Sequence, residues 1–162
     1  MVTNDIVEQT CAEVSDFTEE QLASEFERFF TVQPELCDFV VELTGESDPK
    51  IQELTLYLSY MVLKSVERSV PQQVSPVSQE GIEAAFRTSE GWIERMNRAN
   101  TPAAQSEILS DLSVDLEPHL LQYVISEINQ PMDDDSQLTD EQKGEVFFVL
   151  RTVITALAGE PS

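Results

Sequence analysis

Two segments far apart in the chain read as the same short helix: Pro34-Glu35-Leu36-Cys37-Asp38-Phe39-Val40-Val41 and Pro118-His119-Leu120-Leu121-Gln122-Tyr123-Val124-Ile125. In each, proline opens the segment, leucine follows two places on, and an aromatic precedes Val-Val or Val-Ile. Proline fixes φ and lacks an N–H, so a helix accepts it in the first turn and rarely elsewhere. The elements around both copies follow the same order. The chain therefore reads as a duplicated helical unit.

Further helix starts carry the same kind of signal. Pro49 follows a capping Asp48, and Pro102 follows a capping Thr101. Thr18-Glu19-Glu20-Gln21 and Thr139-Asp140-Glu141-Gln142 are capping boxes, in which threonine accepts from the third N–H and glutamine reaches back. Gly45 and Gly159 read as stops, where a left-handed residue costs little. Between these signals the apolar spacing is three and four. Leu22, Phe26, Phe29 and Phe30 form one stripe; Ile51, Leu54, Leu58 and Met61 form another; Ile82, Ala85, Phe86, Ile93 and Met96 a third; Val146, Leu150, Val153 and Leu157 a fourth.

These signals predict helices over 3–14, 18–30, 34–43, 49–69, 78–99, 102–112, 118–128 and 139–158. No run alternates long enough to predict a strand. The expected fold is all-α: one domain over residues 1–162, a helical bundle or short helical stack of about eight helices. It divides into pseudo-repeat 1 (1–70), a connector rich in proline and glutamine (71–77), and pseudo-repeat 2 (78–159). The last helix of each unit is the most apolar and is expected at the centre.

Composition sets the function classes. Apolar residues make up 41%, too many for a disordered chain, yet the net charge is −22. Residues 1–63 hold 14 acids against Arg28 and Lys50, and residues 99–162 hold 12 against Lys143 and Arg151. Residues 64–98 hold five acids and five bases. Two acidic halves flanking a neutral middle repel nucleic acid and anionic membranes and attract a basic partner. No apolar run suits a membrane span, and the acidic N-terminal stretch does not read as a secretory signal. With Cys11 and Cys37 widely spaced, a reduced cytoplasmic setting is expected.

Motifs of chemistry are sparse. A single histidine rules out paired Glu-x-x-His ligands and HExxH. The spacings of Cys11, Cys37 and His119 follow no zinc pattern, and five scattered glycines make no phosphate loop. Cys37 on an apolar stripe reads as a structural thiol. His119 reads as an exposed first-turn residue, with a general base beside Asp115 or Glu117 as its functional alternative. The run Asp133-Asp134-Asp135 fails the EF-hand pattern: counted from Asp133, position six is Leu138 and position twelve Gly144. Trp92 and Met132 are the candidate apolar anchors for a partner, flanked in the second case by Asp133, Asp134 and Asp135. Gly91, inside a helix, suggests a close crossing or a ligand.

The expected function is a non-enzymatic, acidic protein–protein interaction module for a basic protein partner, with self-association through apolar helix faces as a further expectation. No cofactor, metal or catalytic residue is assigned. The alternatives are a nucleic-acid mimic that occupies a DNA- or RNA-binding protein, and an enzyme or small-ligand protein with a pocket between the two units.

Overall fold

The computed structural model describes residues 2–99, 101–104, 106–107, 117–130 and 138–159. Seven helices are delimited there: α1 Asn4–Ser15, α2 Glu19–Val32, α3 Pro34–Leu43, α4 Pro49–Ser69, α5 Gln79–Arg98, α6 Pro118–Ile128 and α7 Asp140–Gly159. Residues 102–104 and 106–107 are also helical, and no strand occurs among the described residues. The fold is all-α, as the spacing predicts.

Local chemistry explains the boundaries. Pro34, Pro49 and Pro118 open their helices. Asp48 accepts from the Lys50 N–H at 2.9 Å, and Thr101 from the Ala104 N–H at 3.1 Å. Both capping boxes are formed: Gln21 N–H donates to Thr18 Oγ1 at 3.1 Å and Thr18 N–H to Gln21 Oε1 at 2.8 Å. Thr139 and Gln142 repeat this at 3.1 and 2.9 Å. Thr3 and Ser78 cap α1 and α5, two hydroxyl caps that the sequence pattern did not single out. Gly45 departs from expectation. It lies in a turn after the Thr44 cap without a left-handed φ, and a Cβ there would meet the Val41 carbonyl at 3.3 Å.

The core is built on α4 and α7. Helix α7 packs on α4, α5 and α6, while α4 also packs on α1 and α3. Burying each of the core leucines or valines contributes roughly 1.5–3 kcal/mol. The hydroxyls between them are satisfied within their own helix: Thr55, Ser59 and Ser65 each donate to the carbonyl four residues back, at 2.7, 2.7 and 2.9 Å.

Burial recurs with fixed offsets. Helix α1 buries Val7, Thr10 and Val14; α5 buries Ile82, Ala85 and Ser89, each 75 positions on. Helix α4 buries Ile51, Thr55, residues 58–63, Ser65 and Val66; α7 buries Val146, residues 149–154, Ala156 and Leu157, which match every member of the α4 set except Ile51 at 91 positions on. Helix α3 packs on α4 and α5, and α6 packs on α7 and α1.

The connector is held by one side chain. Gln33, 1% exposed between α2 and α3, donates from Nε2 to the Ser75 carbonyl at 3.0 Å. Its Oε1 accepts from the Val77 N–H at 2.9 Å. Glu117, directly before α6, accepts from the Val2 N–H at 2.7 Å in the same manner. Val2 and Val77 are both 1% exposed.

Candidate functional site

Two grooves each lie between a pair of packed helices. The first, about 450 Å3, runs between α3 and α5. Its apolar lining is Phe39, Leu43, Ile82 and Phe86, with Phe39 and Phe86 in edge contact at 6.1 Å and Phe86 resting edge-on against Phe148 at 5.2 Å. Helix periodicity then puts Glu35, Asp38 and Glu42 along one wall and Glu83 and Glu90 along the other. The only base among the lining residues, Arg87, is largely exposed and stands 3.9 Å from Glu83. An aromatic floor between two acidic walls can receive a segment that is apolar on one face and cationic on its flanks.

The second groove, about 400 Å3, runs between α1 and α6. Asn4, Val7, Glu8 and Cys11 come from α1, and His119, Gln122, Tyr123, Ser126 and Glu127 from α6. Its walls hold only two acids. Burial raises the Glu127 carboxyl above its ordinary value. Burial likewise raises the Cys11 thiol, against a hydrogen bond from Tyr123, so this cysteine is no activated nucleophile. His119 is not the exposed first-turn residue expected from sequence: it is half-buried, and its Nδ1 has no partner. Burial pushes the Cys37 thiol up to about 12, and it donates to the Phe29 carbonyl at 3.7 Å, a structural role.

The bases of the neutral middle are partly spent inside the fold. Lys64 and Arg68, on α4, reach back to α1 and α2: Lys64 Nζ lies 2.7 Å from Glu25 and 3.8 Å from Glu13, and Arg68 pairs with Glu13. Arg28 grips Glu67 through both terminal nitrogens at 2.9 Å and Glu25 through Nε at 2.9 Å. Tyr60 donates to Glu25 at 2.9 Å. Burial alone would raise the Glu25 carboxyl, but these donors outweigh it and hold it at about 2.

Of the sequence-predicted partner residues, Trp92 is half-buried on α5, its ring 5.3 Å from Phe147 and beneath the Arg151 guanidinium at 5.4 Å. Met132, Asp133, Asp134 and Asp135 lie outside the described residues. Gly91 marks no close crossing, since a Cβ there would meet nothing within 4 Å. Among the described residues no group of three or more His, Cys, Asp or Glu is placed to hold a metal ion, and no helix is long and apolar enough to cross a membrane. Sequence reading allowed a pocket between the two units but did not assign the lining of either groove. The visible hint was that Glu35, Asp38 and Glu42 share one face of α3 with Phe39. No protein-family model, no curated protein and no solved structure matches this chain.

Proposed function

We propose that this chain is a protein-docking module whose α3–α5 groove takes a basic amphipathic segment of a partner protein. The carrying observation is the aromatic floor of Phe39 and Phe86 between walls bearing five acids. Charge on the walls raises the association rate, and the floor supplies the apolar burial that affinity requires. Acids that imitated a phosphate backbone would not need half-buried phenylalanines between them, which favours this reading over nucleic-acid mimicry. The free thiols of Cys11 and Cys37 suit a reduced, cytoplasmic setting.

A duplicated unit, residues 1–70 and 78–159, belongs to the same proposal. Its support is the matched burial of α1 with α5 and of α4 with α7, together with the parallel anchoring of Val77 by Gln33 and of Val2 by Glu117. The two grooves then occupy corresponding places.

The test is titration with a synthetic Lys/Leu amphipathic helix. The native chain should bind it, with affinity falling at least tenfold between low and roughly tenfold higher salt. Asp38→Lys with Glu42→Lys should abolish binding, whereas the exposed pair Glu27→Lys with Glu53→Lys, an equal charge change, should weaken it only modestly. Equal losses from both pairs, or affinity flat with salt, would refute groove docking.

One observation supports a second reading, a small polar ligand in the α1–α6 groove: the desolvated Glu127 carboxyl faces a cleft also lined by Tyr123 and His119. Glu127→Gln should then alter ligand binding without disturbing the α3–α5 groove.

A further inference from the structure

Among the described residues, Arg151 is the one charged side chain buried outright, at 2% exposure on the inner face of α7. Taking a guanidinium out of water is costly unless a counter-charge and acceptors replace the lost hydration. Its Nη1 donates to Ser89 Oγ at 3.0 Å. The Ser89 hydroxyl lies 2.9 Å from Thr152 Oγ1, which donates to the Phe148 carbonyl at 3.0 Å. That chain satisfies the hydroxyls but brings no negative charge.

Two further donors are left over. Arg151 Nε and Trp92 Nε1 are both buried and have no hydrogen-bond partner. Neither group can ever accept, so what is missing is an acceptor. The guanidinium carbon sits 5.4 Å from the centre of the Trp92 ring, so both unpartnered N–H groups belong to the same α5–α7 seam. The other charge that Arg151 senses, Arg95, is also a cation. The corresponding position in the first half makes the contrast plain: Tyr60, equally buried, reaches the Glu25 carboxylate at 2.9 Å. Among the described residues no carboxylate pairs with Arg151.

We propose that the α5–α7 seam at Ser89, Trp92 and Arg151 is a binding site for a small monocarboxylate, whose oxygens accept from Arg151 Nε and Trp92 Nε1. A single negative charge balances the single buried cation, whereas a phosphate dianion would leave an excess charge in the seam. Entry is from the α5 side, where Trp92 is only half-buried and the space beside Gly91 is open. The site shares no residue with the α3–α5 groove, so it stands or falls independently of the docking reading.

Trp92 is the sole tryptophan, and its emission therefore reports directly on the site. Acetate or formate added to the full chain should shift that emission saturably. At about tenfold excess over Kd it should also raise Tm by a few degrees. Chloride at matched ionic strength should do neither, and phosphate should bind more weakly than acetate. Arg151→Met should lose the acetate response; if that variant does not fold, Trp92→Phe, followed by melting, should weaken acetate binding several-fold. Acetate indistinguishable from chloride in the native chain, phosphate binding tighter than acetate, or an acetate response surviving Arg151→Met would each overturn the proposal.

Discussion

Under the duplication proposed above, the two grooves stand at corresponding places, and they differ in what lines them. Phe39 on α3 answers to Tyr123 on α6, and Ile82 and Phe86 on α5 answer to Val7 and Cys11 on α1. At the rim the kinds part: Glu35, Asp38 and Glu42 line the first groove, and His119, Gln122 and Ser126 line the second. Positions whose side chains fill the helix–helix seam keep an apolar or aromatic character, because packing density leaves little choice. Rim positions contact solvent and are free to change charge. A difference between two such grooves therefore concerns what each can bind, and the difference here separates an acidic, aromatic trough from a nearly neutral one.

The largest contrast should appear where each half ties down its incoming chain. Gln33 is buried and uses both ends of its amide, so Gln33→Ala strands the Val77 N–H and the Ser75 carbonyl and should cost about 2–4 kcal/mol. Glu117 makes one such bond from a half-buried position, and Glu117→Ala should cost about 1 kcal/mol. Urea denaturation of the two variants gives both numbers. Equal losses would mean that the two anchors are equally strong and that the connector gains nothing from the second contact.

Acid should act with opposite sign at Glu25 and at Glu127. Glu25 titrates near 2 in the folded chain against an ordinary 4.5, so its contribution is complete above the ordinary value and is lost as pH falls from 4.5 toward 2. With its side chain 19% exposed, that contribution is about 2 kcal/mol after allowance for solvent screening. Glu127 carries the opposite sign. Its folded value is raised, so its charge weighs against the folded state once pH exceeds that value, and protonation relieves the cost. Stability measured from pH 6 to pH 2.5 should thus fall more gently in Glu25→Gln than in the native chain, while Glu127→Gln should be stabilising at pH 7. A native acid limb unchanged by Glu25→Gln would remove the α1–α2–α4 ion network from the account of stability.

Much of the helical frame was legible in the sequence because its signals are local. Pro34, Pro49 and Pro118 set three starts to the residue, and the Thr18 and Thr139 boxes fixed two more within one residue. The positions of α4 and α7 followed from their apolar runs. The grooves were not legible, since they depend on which helices become neighbours, and amphipathic spacing says nothing about partners. Lys64 and Arg68 illustrate the loss: in sequence they belong to a neutral middle, and in the fold they turn to Glu13 and Glu25. Arg151 was counted only as one of two bases in an acidic stretch, because burial of a charge inside an apolar run leaves no local trace. Gln33 looked like an ordinary residue before a proline.

Substitutions at Tyr60 and Arg151, buried residues ninety-one positions apart on α4 and α7, should move stability in opposite directions. Tyr60→Phe removes a hydrogen bond to an ionised carboxylate and should cost about 1.5–3 kcal/mol. Arg151→Met exchanges a buried cation that has no carboxylate partner among the described residues for an apolar chain of similar length, and in buffer free of carboxylates it should stabilise by about 1 kcal/mol. Thermal or urea unfolding decides the signs. Destabilisation by Arg151→Met in such a buffer would show that the Ser89 bond and the Trp92 ring offset the burial of the charge by themselves.

The smallest effect concerns the difference in length between α1 and α5. Helix α1 stops at Ser15 and is capped by Asp16, while α5 runs on to Arg98. Under the proposed duplication Gly91, seventy-five positions beyond Asp16, occupies in α5 the point at which α1 ends, and Trp92 and Arg95 lie on the added length. Glycine inside a helix costs about 1 kcal/mol relative to alanine, chiefly through backbone entropy. A Cβ at Gly91 meets nothing within 4 Å, so no clash offsets the gain. Gly91→Ala should therefore stabilise the chain by about 0.5–1 kcal/mol in urea denaturation. It should also make the Trp92 end of α5 exchange its amide hydrogens more slowly, because the stiffened turn carries the ring. A loss of stability would instead mean that α5 needs a pliable point there, and that its continuation past the α1 stop is maintained against a local tendency to break.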